Sequence, residues 1–209
     1  MKKITLLLFL IFISCDITYD GETRLVSETN VMDRNGNPLS GIEVMINVSN
    51  GYDSHLASNG VSDANGNTVL VFPKPENSEF EISFSNQEFG YEPLSYRNIH
   101  ISDFNNYKHK LNDVILLKSN DIVLLEINFL NTSNGNIRVE DYKIEGLFYR
   151  DPYMDDNAYQ YYRELDFKVA KNQIIQFHYT LINLSTMIKT EYTTPIIIEN
   201  QTISTTINY

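Results

Sequence analysis

The stretch Val31-Met32-Asp33-Arg34-Asn35-Gly36-Asn37-Pro38-Leu39-Ser40-Gly41-Ile42-Glu43-Val44 is echoed further on by Val61-Ser62-Asp63-Ala64-Asn65-Gly66-Asn67-Thr68. Each contains Asp-x-Asn-Gly-Asn and each leads into an apolar, β-branched run. Asn-Gly adopts positive φ at low cost and joins paired strands, while the preceding Asp accepts hydrogen bonds from the amides of the turn. Alternating oxygen side chains also suit calcium, since Asp33, Asn35 and Asn37 match the first, third and fifth positions of an EF-hand loop. The rest of that loop fails. Its sixth position requires Gly and its twelfth Glu, whereas Pro38 and Thr68 stand at the sixth here and Val44 and Lys74 at the twelfth. Both segments are therefore expected to be tight turns between strands.

Outward from these turns the chain alternates with period two. Ile42, Val44, Ile46 and Val48 share one face; Val69 and Val71, then Phe80, Ile82 and Phe84, are expected to repeat the pattern. Turn formers separate the runs at Asn50-Gly51, Asn59-Gly60 and Pro73-Lys74-Pro75. Short alternating runs with such punctuation indicate antiparallel strands that bury one face. A boundary is expected near Lys118-Ser119-Asn120. Beyond it, Val123, Leu125, Ile127 and Phe129 share a face, and further strands are expected over Ile137 to Tyr149, Tyr159 to Val169, Gln173 to Leu184, Thr193 to Glu199 and Thr202 to Tyr209. Pro195 cannot donate to a ladder, so its strand is expected at a sheet edge or to start just after it.

The residues around the two turns resemble the carboxypeptidase regulatory-like domain, whose pattern is a strand, D-x-x-G-x-P-L-x-G-a-x-V, a second strand and then T-D-x-x-G-x. Here Ser62 stands for the usual Thr, and Ile42 for a small residue. The resemblance covers about Arg24 to Leu117 and implies a transthyretin-like sandwich of seven strands, an accessory module that transfers no catalytic residue. The expected fold is all-β, with this N-terminal sandwich over 24–118 and a second small antiparallel β-sandwich over 119–209.

At the N-terminus, Lys2 and Lys3 precede an apolar run from Ile4 to Ile13 that only Thr5 interrupts. Ten helical residues span about 15 Å, half of a hydrocarbon core of roughly 30 Å, so the run suits a signal peptide over 1–14 better than a spanning helix. It ends at Phe12-Ile13-Ser14-Cys15, which resembles a bacterial lipobox despite Phe12 in place of the usual Leu. Cys15, the only Cys of the 209 residues, is the expected lipidation site. Residues 15–23 then form a polar tether. More than one acyl chain holds a protein stably on a membrane, and the resemblance together with the Asn-, Ile-, Tyr- and Lys-rich composition points to the outer membrane of a Gram-negative, Bacteroidota-type cell.

The chain carries 16 Lys and Arg against 27 Asp and Glu, a net −11. Losing Lys2 and Lys3 with the leader removes two positive charges and leaves −13. Such acidity argues against nucleic acid as a partner, because phosphate binding needs clustered cations.

The segment Tyr149-Arg150-Asp151-Pro152-Tyr153-Met154-Asp155-Asp156-Asn157-Ala158-Tyr159-Gln160-Tyr161-Tyr162-Arg163 is the densest candidate for recognition. Tyr149, Tyr153, Tyr159, Tyr161 and Tyr162 offer flat rings with polar tips to a protein or glycan partner. Asp151, Asp155 and Asp156 are weak calcium candidates. With 14 Tyr in the chain, packing within a loop and strand competes with both readings. His55, His100, His109 and His178 lack any close metal spacing and are expected at solvated or strand-edge positions; no nucleophile elbow, phosphate loop or C-x-x-C is present. The expectation is a lipid-anchored envelope protein without cofactor or enzymatic activity, binding or scaffolding through the loops of its sandwiches. Glycan capture by the Tyr-rich segment and hydrolysis at an interdomain site are the alternatives.

Overall fold

A computed structural model describes residues 17–51, 53–76, 78–133, 135–149 and 164–209. Among them the chain is all-β. The N-terminal strands are β1 (Tyr19–Met32), β2 (Glu43–Ser49), β3 (Ser54–Val61), β4 (Asn67–Pro75), β5 (Glu79–Asn86), β6 (Tyr91–Ile99) and β7 (Lys108–Ile115). They form a three-stranded sheet ordered β4-β1-β7 and a four-stranded sheet ordered β3-β2-β5-β6, the seven strands expected. β8 (Ile122–Leu130), β9 (Ile137–Glu145), β10 (Phe148–Tyr149), β11 (Glu164–Ala170), β12 (Gln173–Asn183), β13 (Ile188–Ile198) and β14 (Ile203–Asn208) follow. Their sheets are ordered β10-β11-β8-β14 and β13-β12-β9.

Two compact units result. One holds the described residues up to Val31, then Pro38–Phe84 and Tyr96–Val114; the other holds Met32–Asn37, Ser85–Ser95 and Ile115–Tyr209. Within the second unit, Arg34 Nη2 donates to the Lys171 carbonyl at 2.6 Å, and the Leu116 amide donates to the Met32 carbonyl at 3.0 Å.

In the first unit, the inward residues of β2 and β5 are those the alternation picks out: Val44, Ile46, Val48, Phe80, Ile82 and Phe84 are all buried. β4 runs in the opposite phase to the one expected. Leu70 and Phe72 are buried, whereas Val69 and Val71 are 62% and 55% exposed. Facing inward, Leu and Phe remove more apolar area from water than two valines would. The Phe72 and Phe80 rings meet at 5.7 Å from opposite sheets, and Phe104 closes on both. His109, half-buried on the edge strand β7, lies 5.3 Å from the Phe104 ring, and burial pushes its imidazole below the usual value.

Both Asp-x-Asn-Gly-Asn segments are turns. Asp33 Oδ1 accepts the amides of Asn35 and Asn37 at 2.8 and 2.9 Å, and Asp63 Oδ1 accepts those of Asn65 and Asn67 at the same distances. Gly36 and Gly66 supply φ of 82° and 77°. Between the turns, Ser62 acts as a buried clamp: its Oγ donates to the Leu39 carbonyl at 2.6 Å and accepts the Ile42 amide at 2.9 Å.

The second unit is not wholly antiparallel, because β14 pairs β8 in parallel, from Ile203↔Leu125 to Asn208↔Leu130. Its core joins both sheets through Leu125, Ile127, Val139, Val169, Ile175 and Phe177. The strand expected over Ile137 to Tyr149 is two strands in two sheets, parted at Gly146 with φ 153°. The Gln173 side chain bridges the break, accepting the Leu147 amide at 2.8 Å and donating to the carbonyls of Leu147 and Ala170 at 2.6 and 2.8 Å. β1 begins at Tyr19, inside the stretch read as polar tether, and Ile17 is already buried.

Candidate binding surface

Of the residues singled out for function, Cys15, Tyr153, Tyr159, Tyr161, Tyr162, Asp151, Asp155 and Asp156 lie outside the described residues. Tyr149 is described. It pairs with Lys168 across β10 and β11, and the Lys168 ammonium sits 5.2 Å from the Tyr149 ring centroid, a cation–π distance that occupies one ring face.

The structure draws attention elsewhere, to the sheet β13-β12-β9. Its central strand β12 is paired along both edges, so the register fixes which side chains stand in a row. Tyr179 is flanked by Tyr142 and Tyr192. On the alternate positions His178 stands between Lys143 and Thr193, Thr180 between Asp141 and Glu191, and Gln176 between Glu145 and Pro195. The His178, Tyr179 and Thr180 rows bound a depression of about 110 Å³.

His178 is the organising group. Its Nδ1 lies 2.8 Å from Thr193 Oγ1, and its Nε2 lies 3.4 Å from Glu145 Oε2, whose other oxygen is 2.7 Å from Lys143 Nζ. The imidazole is thereby held between β9 and β13, on the exposed face of a central strand. Hydrogen bonds from Lys143 first and His178 second hold the Glu145 carboxyl below the usual carboxylate range. Tyr179 is buried with its phenol pushed up by desolvation, and it stacks on Tyr192 at 5.3 Å and 15°. Tyr192 keeps 43% of its surface exposed. The result is a rigid outward face that offers three carboxylates, a cation, an imidazole and hydroxyls within a few strand spacings, while the Tyr142, Tyr179 and Tyr192 row stands on the other face of the same strands. Sequence alternation marks the outward residues as one strand face each; the pairing of β12 with its hairpin partner β13 and with the more distant β9 makes them neighbours.

Among the described residues no group of three His, Cys, Asp or Glu is placed to hold a metal ion. No family model and no curated protein matches the chain. Solved structures similar to it include the Bacillus anthracis TIE protein, at 15% identity and a TM-score of 0.33, over 89% of this chain and 34% of that one. The shaft pilin SpaA from Lactobacillus rhamnosus GG has 10% identity and a TM-score of 0.37, over 87% and 96%. The tip fimbrial protein of Porphyromonas gingivalis has 13% identity and a TM-score of 0.31, over 85% and 83%. The chain thus spans about a third of the Bacillus anthracis protein. At such scores the likeness assigns no function.

Proposed function

We propose that the chain is a lipid-anchored protein of the bacterial envelope that binds a protein or glycan partner non-covalently and without catalysis. The observation that carries this is the exposed face of β13-β12-β9. Hydrogen-bonding groups of both polarities there are fixed by strands paired in register, so little side-chain freedom is left to be lost on binding. The lipobox-like Cys15 supports the anchor, and an acidic body of −13 would be repelled by anionic lipid, leaving the acyl chains as the membrane contact. The carboxypeptidase regulatory-like resemblance supports an accessory, non-peptidase role, and that resemblance with the Asn-, Ile-, Tyr- and Lys-rich composition supports an outer-membrane site in a Gram-negative cell.

Cys15→Ala should move the protein from the membrane fraction to the soluble one. Retention on the membrane would reject the anchor. For recognition, a glycan array probed with the wild type, with Thr180→Tyr and with the pair Tyr153→Ala and Tyr161→Ala separates the readings. Loss of signal in Thr180→Tyr alone, whose ring fills the depression, assigns binding to the strand face. Loss only in the Tyr variants assigns it to the Tyr-rich segment, and no signal from the wild type rejects a glycan in favour of a protein partner.

A further inference from the structure

β13 is an edge strand of 11 residues, bonded only to β12 among the described residues. Edge strands offer unpaired amides and carbonyls to any extended chain, and proteins usually blunt them with proline, charge or a covering element. Pro195 blunts the C-terminal part of β13. The N-terminal part, Ile188-Lys189-Thr190-Glu191-Tyr192-Thr193, has no such block, and all six residues are exposed. Both faces of this half-strand are open: Ile188 and Tyr192 on the side that further along carries the buried Ile196 and Ile198, and Lys189, Glu191 and Thr193 on the other. Ile188 is 63% exposed, and Met187 beside it 66%.

We propose that this half-strand pairs antiparallel with the same half-strand of a second copy of the chain, about a two-fold axis at Thr190. The register follows from pleat and charge. Directly opposite residues must share a face, so the axis passes through a residue and not between two. An axis at Lys189 opposes two lysines, and one at Glu191 opposes two glutamates. An axis at Tyr192 brings Pro195 into the ladder opposite Lys189. An axis at Thr190 sets Lys189 opposite the second copy's Glu191 and Ile188 opposite its Tyr192, each pair occurring twice; opposite charges and aromatic with β-branched residues are the favoured cross-strand pairs. Lys189 also lies 2.7 Å from Glu140, an exposed pair that contributes little and does not prevent the new contact. The contact is isologous: it joins β9-β12-β13 of each copy into one six-stranded sheet and closes there, without propagating into a fibre. The inference goes beyond the proposed function and depends on neither the anchor nor the ligand.

The test is oxidative cross-linking on the full chain. In Thr190→Cys the two introduced thiols face each other at the axis, within the 4.4–6.8 Å Cα separation that a disulfide spans. A reducible dimer is expected, well above the background from the wild type, whose only thiol is Cys15, and from Thr206→Cys on β14. Adding Lys189→Glu or Glu191→Lys to Thr190→Cys turns both charge pairs repulsive, and the dimer yield should fall about tenfold. Co-expressing the two charge variants under different tags should restore it as a heterodimer only, because the altered pairs are again complementary. A Thr190→Cys yield no higher than that of Thr206→Cys would overturn the proposal. So would charge variants that cross-link as well alone as together. A dimer that persists when Cys15→Ala frees the protein from the membrane separates this result from the fate of the anchor.

Discussion

Gly66→Ala is expected to cost about 3–5 kcal/mol of stability, while the same change at Gly36 costs about 1–2 kcal/mol, although both glycines sit at the same place in the same five-residue turn. The smaller figure is the left-handed strain that any Cβ meets at φ near 80°. At Gly36 nothing lies within 4 Å of an added Cβ, so strain is the whole effect. At Gly66 the Cβ would stand 2.3 Å from the Val31 carbonyl oxygen. That oxygen belongs to backbone and cannot move alone. It accepts the Leu39 amide at 3.0 Å, while the Val31 amide donates to the Gly66 carbonyl at 2.8 Å. Relieving the clash separates β1 from the turn and sacrifices these bonds, each worth about 0.5–1.5 kcal/mol. Urea denaturation of the two variants side by side decides the matter, and equal midpoints would show that Gly66 is not a packing position.

Phe177→Ala should be comparably severe in the second unit, costing about 3–5 kcal/mol for a buried Phe truncated to a cavity. Phe177 is fully buried, and its ring lies 5.8–6.4 Å from those of Phe129, Tyr142, Phe167 and Tyr179. These come from four strands of both sheets, and tilted and stacked contacts add to the burial term. Thermal unfolding followed by the tyrosine signal of near-ultraviolet circular dichroism should show a melting point about 12–40 °C lower, given a shift of about 4–8 °C per kcal/mol for a unit of this size. A drop below about 5 °C would mean that the neighbouring rings close over the gap.

The two glycines show what the sequence could reveal and what it could not. Asp-x-Asn-Gly-Asn encodes a turn locally, through the Asp carboxylate and the conformational freedom of Gly, and both turns were legible. Which of them packs against another strand depends on the course of β1, and β1 was hidden. Its inward positions run Leu25, Ser27, Thr29, Val31, all buried, so polar residues interrupt the apolar signal midway. The phase of β4 was misread because Val69-Leu70-Val71-Phe72 is apolar at every position and alternation alone cannot choose a side. The face around His178 was illegible for a different reason: Lys143 is far from the His178–Thr193 hairpin in the chain, and the meeting of the three depends on the register of three strands.

One feature of the second unit bears on how it responds to force. Its strands β8 and β14 lie side by side and parallel, so a pull that draws Ile122 away from Asn208 acts along the strands and loads the ladder in shear. All its hydrogen bonds then carry the load together, instead of parting one by one as in an unzipping hairpin. The Tyr209 amide, bonded to the Leu130 carbonyl at 3.1 Å, and the Thr132 amide, bonded to the Tyr209 carbonyl at 2.6 Å, fasten the far end. Force applied between these two points must therefore break the whole β8–β14 ladder in one step before either strand can leave.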